Sequence, residues 1–200
     1  IIRYIFDKMG VKNITFVEIG VEDGRECNTA CLSLHFGWKG LLIEGNKKYA
    51  ESAKKYYSRL PVEVVNAFVS KENINEIIAK AKLPKEIDLL SIDIDGNDYW
   101  IWKAIDAISP RVVVIEYNSI IKNNLTVAYN SRFERLREHS SGFYYGSSLG
   151  ALEKLGKSKG YILVGCCSSG FNAFFVREKD AKGIFHKLSA EDADYLPNGK

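Results

Sequence analysis

Short runs of β-branched and apolar residues alternate along this chain with longer stretches whose apolar positions recur every three or four residues. Residues 15–19 read as a buried strand and residues 20–24 as a tight loop. Residues 28–36 read as a helix carrying Ala30, Leu32, Leu34 and Phe36 on its apolar positions. Further strands are expected at 40–44, 62–65, 88–93 and 111–116. Helices separate them at 47–60, 73–81 and 99–108, the first ended by Pro61 and the last stopped by Pro110.

Strands that are apolar throughout, such as residues 112–115, belong to a parallel sheet covered on both faces. A succession of such strand–helix units is a Rossmann-like, doubly wound α/β fold. Residues 149–159 read as a further helix, and 161–165 and 172–177 as two strands. The stretch between those strands is too short for a parallel crossover, which takes about a dozen residues. They must form a hairpin. The expectation is therefore a mostly parallel seven-stranded sheet with one antiparallel strand from a C-terminal hairpin, in a single domain spanning 1–200. Residues 117–148 break the alternation, mixing aromatic residues with Asn, Ser and Gly. A connection this long in a compact domain is usually functional or mobile. After Arg177 the tail is polar and is expected to pack loosely.

Chemistry gathers at the strand tips. The loop Glu18-Ile19-Gly20-Val21-Glu22-Asp23-Gly24 follows the first strand, where open α/β sheets bind ligands. Its glycines permit a tight turn and close backbone approach. The spacing is G-x-x-x-G rather than the G-x-G-x-x-G of dinucleotide folds, and its acids repel a pyrophosphate. S-adenosylmethionine, with a sulfonium and an ammonium, suits such carboxylates; an acidic surface turn is the other reading. Glu44, at the second strand's tip, is placed to accept ribose hydroxyls, with Asn46 close by to assist. Ala67 and Phe68 follow the third strand where an adenine would lie, Phe68 being equally readable as core.

Asp93, Asp95 and Asp98 cluster at the end of the fourth strand. Asp98 reads as the N-cap of the helix beginning near Tyr99. Crowded carboxyls beside an apolar sheet need a cation, donors or water. Asp93 or Asp95 can hold the donor's ammonium, act as a base or ligate a metal. Asp95, Glu116 and Asn118, from adjacent strand tips, form an oxygen set that suits Mg²⁺. The competing reading is that these groups hydrogen-bond the substrate directly. Asp95 and His139 are the candidate catalytic groups. His35 reads as structural, His186 as solvated, and Trp38, Trp100 and Trp102 as packing anchors.

Composition narrows the partners. The 200 residues carry a net charge of +3 with no Lys/Arg run, which argues against nucleic acid or an anionic membrane surface. No apolar stretch approaches the roughly 20 residues of a membrane span. Cys27, Cys31, Cys166 and Cys167 lack zinc-like spacing and read as reduced, mostly buried thiols, as expected of a cytoplasmic protein. The chain opens at Ile1 rather than methionine, which leaves room for residues upstream; nothing in it resembles a secretory leader.

Taken together, VEIGVEDG at 17–24, LLIEGN at 41–46 and LLSIDIDGNDYW at 89–100 resemble the FkbM-type family of S-adenosylmethionine-dependent methyltransferases. The stretches at 144–165 and 172–176 look like bacterial members of the same group. The resemblance implies a class I methyltransferase fold and usually oxygen methylation of a sugar or natural-product hydroxyl. It implies that Glu18, Gly20 and Gly24 line the methionine part of the donor, that Glu44 takes the ribose, and that Asp93 faces the donor. Residues 117–148 would cover the small-molecule acceptor. Glu22 departs from the pattern, standing where many methyltransferases have a third glycine. Two rival readings share the same sheet: a glycosyltransferase using Asp93-x-Asp95 with a metal, and a binding module without turnover.

Overall fold

The computed structural model describes residues 1–193. In chain order the elements are α1 (Ile2–Met9), β1 (Thr15–Ile19), α2 (Ala30–Phe36), β2 (Lys39–Glu44), α3 (Lys47–Tyr56), β3 (Val62–Asn66), α4 (Ile74–Lys80) and β4 (Glu86–Ile92). They continue as α5 (Asp98–Ala104), β5 (Ser109–Glu116), α6 (Arg135–Glu138), α7 (Leu149–Ser158), β6 (Tyr161–Cys166), β7 (Asn172–Arg177), α8 (Glu178–Ala181) and α9 (Ala190–Ala193). The strands form one seven-stranded sheet in the order β3-β2-β1-β4-β5-β7-β6. Pairing is parallel from β3 through β5, and β7 runs antiparallel between β5 and β6. This is the doubly wound α/β sheet with one antiparallel strand that the alternation of runs implies.

Both faces are covered, as continuous apolar strands require. Val17, Ile19, Leu41, Ile43, Leu90, Ile92, Val113 and Ile115 pack on one side with Ile74, Ile78, Ile101, Trp102 and Leu152 of α4, α5 and α7. Phe16, Leu42, Leu89, Val112 and Val114 pack on the other with Ile5, Phe6, Leu32 and Ala53 of α1, α2 and α3. The alternation by single residues along each strand is the period of the pleat. Strand order reverses between β1 and β4, so their carboxyl ends diverge and open a crevice.

Several boundaries depart from expectation, each for a visible reason. Helix α5 ends at Ala104, well before Pro110, because Asn75 of α4 caps it. The Asn75 amide donates to Ala104 O, and its oxygen accepts from the N–H groups of Asp106 and Ala107. Pro110 falls inside the start of β5, ahead of the first pair with β7 at Val112. The irregular stretch at 117–148 contains α6 and a bridge between Thr126 and Ser147. Val127, Phe133 and Tyr145 form its own small apolar cluster. Cys31 is exposed rather than buried, and the other three free cysteines are half-buried. Trp38 and Trp102 are buried anchors. Half-buried Trp100 instead ties the irregular stretch down, donating from Nε1 to Val127 O. The tail beyond Arg177 forms α8 and α9, with Ala181 and Ala193 buried; residues 194–200 lie outside the described residues. Among the described residues no helix is long and apolar enough to cross a membrane.

Candidate active site

A cleft of about 920 Å³ opens at the carboxyl ends of β1, β2 and β4. Gly20 is essential to its floor. Its φ of 80° lies in the left-handed region, and a Cβ there would run into the backbone oxygen of Asp93. Val21 is buried beneath the loop. Glu22, the departure from a glycine-rich pattern, also takes a positive φ, 49°. The strain of order 1–2 kcal/mol that a side chain meets there is offset by a bond from its N–H to Glu44 Oε2 at 2.8 Å.

Glu18 lines the cleft, but its carboxylate is largely committed to the loop that enters α2. It accepts from the N–H groups of Asn28 and Thr29 and from the Thr29 hydroxyl. Gly24 is not on the cleft wall. Its φ is 79°, it packs against Tyr57, and its carbonyl accepts from the Tyr57 hydroxyl at 2.6 Å. In this loop it turns the chain.

Glu44 ties two loops together at the tip of β2. It accepts from Glu22 N–H and from Asn46 N–H at 2.7 Å, keeping lone pairs toward the cleft. Asn46 lines the cleft too, while its side-chain oxygen caps α3 through Lys48 and Tyr49 N–H. Ala67 and Phe68 stand on the same wall, Ala67 N–H donating to Glu44 O. The Phe68 ring is 58% exposed beside Gly45, so it is a wall of the cleft and not core.

Three aspartates meet at the tip of β4 in three different states. Asp98 is fully buried and accepts from Ile94 and Gly96 N–H, both 2.9 Å. It closes the turn before α5; Asn97, not Asp98, holds the N-cap position, which corrects the capping expectation. Burial pushes Asp98 up to about 6, against those backbone donors. Asp93 lines the cleft; burial, then Asp98, Asp95, Glu18 and Glu22, push its carboxyl up to about 8. Asp95 is exposed, with φ 57°, and pairs with Arg135 at 2.8 Å. Arg135 in turn lies 3.6 Å over the Tyr145 ring and donates to Gly142 O. That clasp joins β4 to the irregular stretch, where a second hollow of about 750 Å³ shares Ile94, Asp95 and Phe133 with the main cleft.

The proposed metal set does not assemble. The Asn118 amide donates to the carbonyls of Phe143 and Tyr145, and its oxygen accepts from Ile120 N–H. Asp95 is engaged by Arg135. Among the described residues no three His, Cys, Asp or Glu side chains form a group that could hold a metal ion. Glu116 is 7% exposed and its Oε2 has no hydrogen-bond partner. Burial, then Asp98, Asp93 and Asp95, push it up to about 10 against Arg135. His139 is exposed and bonded to Ser141 through Nδ1, and it lines neither hollow.

Sequence reasoning missed cleft residues contributed by loops and a distant strand: Arg25, Glu26, Asn28, Asn97, Phe133 and Asn172. Asn172 is the least visible, since it reads as the polar start of a strand. The lining holds Glu18, Glu22, Asp23, Glu26, Glu44, Asp93 and Asp95 against the single guanidinium of Arg25, which is bound to Asp23 at 3.2 Å. Such a cleft repels anions and receives cations.

No family model and no curated protein matches the chain. Solved structures do match in fold. A putative caffeoyl-CoA O-methyltransferase from Staphylococcus aureus is 16% identical, with a TM-score of 0.54 over 88% of this chain and 80% of that one. An O-methyltransferase from Bacillus cereus in complex with SAH is 18% identical, with a TM-score of 0.51 over 87% and 76%. A TehB-like SAM-dependent methyltransferase from Corynebacterium glutamicum is 13% identical, with a TM-score of 0.50 over 88% and 86%. The sheet is thus that of the Rossmann-like methyltransferases.

Proposed function

We propose that this chain is an S-adenosylmethionine-dependent methyltransferase acting on a hydroxyl of a sugar or small natural-product-like acceptor, related to the FkbM-type group. The observation that carries the reading is the charge of the cleft: seven carboxyl groups and one arginine, at the crevice where strand order reverses. A sulfonium and an ammonium meet attraction there, whereas a pyrophosphate meets repulsion. Neighbours of the same fold that bind SAH support the same choice.

When bound, the donor supplies an electrophilic methyl: its carbon–sulfur bond breaks as the acceptor's oxygen–carbon bond forms, sulfur keeps the electron pair, and the acceptor's proton leaves. The protein's part is alignment and removal of that proton. Glu44 offers its remaining lone pairs to the ribose, and Phe68 offers a ring face to the adenine. Asp93, held near neutrality by its surroundings, suits proton removal better than Asp95, whose charge is spent on Arg135. Residues 117–148 flank the acceptor side through Arg135 and Phe133.

Calorimetry tests the reading. Micromolar binding of S-adenosylhomocysteine without added metal is expected. Binding of a UDP-sugar that requires manganese, with no response to S-adenosylhomocysteine, would instead make the chain a glycosyltransferase.

A further inference from the structure

At the tip of β5 lie buried oxygens that the protein itself does not satisfy. Glu116 Oε2, Ser147 Oγ and Asn172 Oδ1 have no hydrogen-bond partner. Native structures leave few such groups, and each calls for an explanation. These three are neighbours by topology: Asn172 stands opposite Glu116 in the β5–β7 ladder, and Ser147 O accepts from Asn118 N–H two residues beyond Glu116. Asn172 also lines the main cleft. Asn172 therefore brings an unpaired acceptor to the cleft that Asp93 also lines, with Glu116 next to it in the ladder, on the far side from the wall carrying Glu44 and Phe68.

Resting on the methyltransferase reading, we propose that Glu116 and Asn172 are the acceptor-recognition pair, and that they select an uncharged, polyhydroxylated acceptor over its carboxylate analogue. A buried acceptor oxygen without a donor discriminates strongly for a ligand that brings one. A hydroxyl brings a donor; a carboxylate brings only acceptors and a charge that Asp93, Asp95 and Asp98 oppose. Glu116 fits the role in its neutral form, since burial and those aspartates push its carboxyl up to about 10. A neutral carboxyl both donates and accepts, and it adds no charge to repel the incoming hydroxyl. Arg135 is the cation that faces this group, and its charge is already met by Asp95.

The test uses the whole chain saturated with S-adenosylhomocysteine, probed by saturation-transfer NMR titration with methyl glucoside, inositol and glucuronate. Binding of S-adenosylhomocysteine, measured first, reports on the donor cleft alone; its failure would reject the methyltransferase reading rather than this inference. With the donor product bound, at least one neutral polyol is expected to give transfer and glucuronate to bind at least about fivefold more weakly. The variants Glu116→Ala and Asn172→Ala should each weaken the polyol by about fivefold or more, whereas Glu116→Gln, which keeps a neutral donor and acceptor, should leave it within about twofold. Retained binding in Glu116→Gln separates a recognition role from a folding failure in Glu116→Ala. Equal binding of glucuronate, no contact with either polyol, or polyol binding unmoved in both alanine variants would overturn the pair as a recognition site.

Discussion

The two ends of the sheet treat buried carboxyl groups in opposite ways. At the amino ends of the strands Asp88 is fully buried, yet it accepts from the N–H groups of Lys12, Asn13 and Ile14 and pairs with Arg111 at 2.8 Å. Arg111 reaches Asp180, and Arg177 binds both Asp180 and Glu86 at 2.6 and 2.7 Å. Burial pushes Asp180 up, but the two guanidinium groups bring it below the ordinary carboxylate range; Arg177 does the same for Glu86. At the carboxyl ends Asp93, Asp98 and Glu116 are all pushed up instead, and the nearby guanidinium of Arg135 is paired with Asp95. One end is matched within the chain and pins α1 and α8 to the sheet. The other is left unmatched, which is the signature of a site awaiting a ligand.

The sharpest way to break that contrast is Asp93→Asn. If Asp93 takes the acceptor's proton, methyl transfer to an accepted polyol should fall by about 10²–10⁴-fold. In the wild type the rate should rise with pH through about 8 as the carboxyl ionises, and level above it. That rise should vanish in the variant. An Asp93→Asn protein with undiminished turnover would remove Asp93 from the chemistry.

At the other end, Arg111→Met leaves Asp88 buried without its cation, while Asp180 keeps Arg177. Removing one partner of a buried pair costs about 3–5 kcal/mol. Urea unfolding should show this loss, while the S-adenosylhomocysteine affinity of the folded fraction changes little. A loss below about 1 kcal/mol would mean that the network is not what holds this end.

Between these sits Glu44→Gln. The amide would turn an N–H toward Glu22 N–H or Asn46 N–H and halve what remains for a ribose. Loss of a charge-assisted bond of about 1.5–3 kcal/mol predicts roughly a tenfold to hundredfold weaker S-adenosylhomocysteine complex by calorimetry.

The unmatched end also sets the pH dependence of stability. A carboxyl whose folded pKa lies above its unfolded value near 4 binds its proton more tightly when folded. It stabilises the fold at low pH, and that contribution is lost as pH rises through the window. For Asp93 the window closes at about 8 and for Glu116 at about 10. The melting temperature should therefore fall between pH 6 and 9, and Glu116→Gln should flatten the fall. Asp180 and Glu86 act oppositely, their contribution fading only in acid below about pH 4. A melting temperature that rises from pH 6 to 9 would contradict the assignment of raised carboxyls.

These two ends were not equally legible. The sheet was readable because strands covered on both sides have no polar face: residues 15–19 and 172–177 carry their bounds in their composition. Glu44 and Asp93 were readable because a strand tip in a doubly wound sheet is a place, not merely a residue type. The matched end was invisible, since Asp88 and Arg111 are 23 residues apart and sit inside apolar strands without a local pattern to join them. Helix α1 could have been found from Ile2, Ile5, Phe6 and Met9, which repeat at helical spacing. Asn75 ends α5 through a bond across two helices, so Pro110 stood in for it in sequence. Asn172 and Arg135 reach the site only because β7 inserts beside β5 and the irregular stretch folds back, and neither event has a signature at those residues.

The smallest effect is the most discriminating between the two aspartates that strand tips offered. The Asp95 side chain is 65% exposed and that of Arg135 32%, so their pair contributes about 0–1 kcal/mol. Arg135 keeps its stacking on Tyr145 and its bond to Gly142 O when Asp95 is changed. Asparagine tolerates the left-handed backbone that Asp95 adopts at φ 57°. Asp95→Asn should thus shift the melting temperature by less than about 4 °C and slow methyl transfer less than about tenfold, where general-base loss would give 10² or more. A loss as deep as that of Asp93→Asn would transfer the proton to Asp95, and with it the meaning of the Arg135 clasp: a guanidinium positioned to hold a base ionised rather than to hold a loop closed.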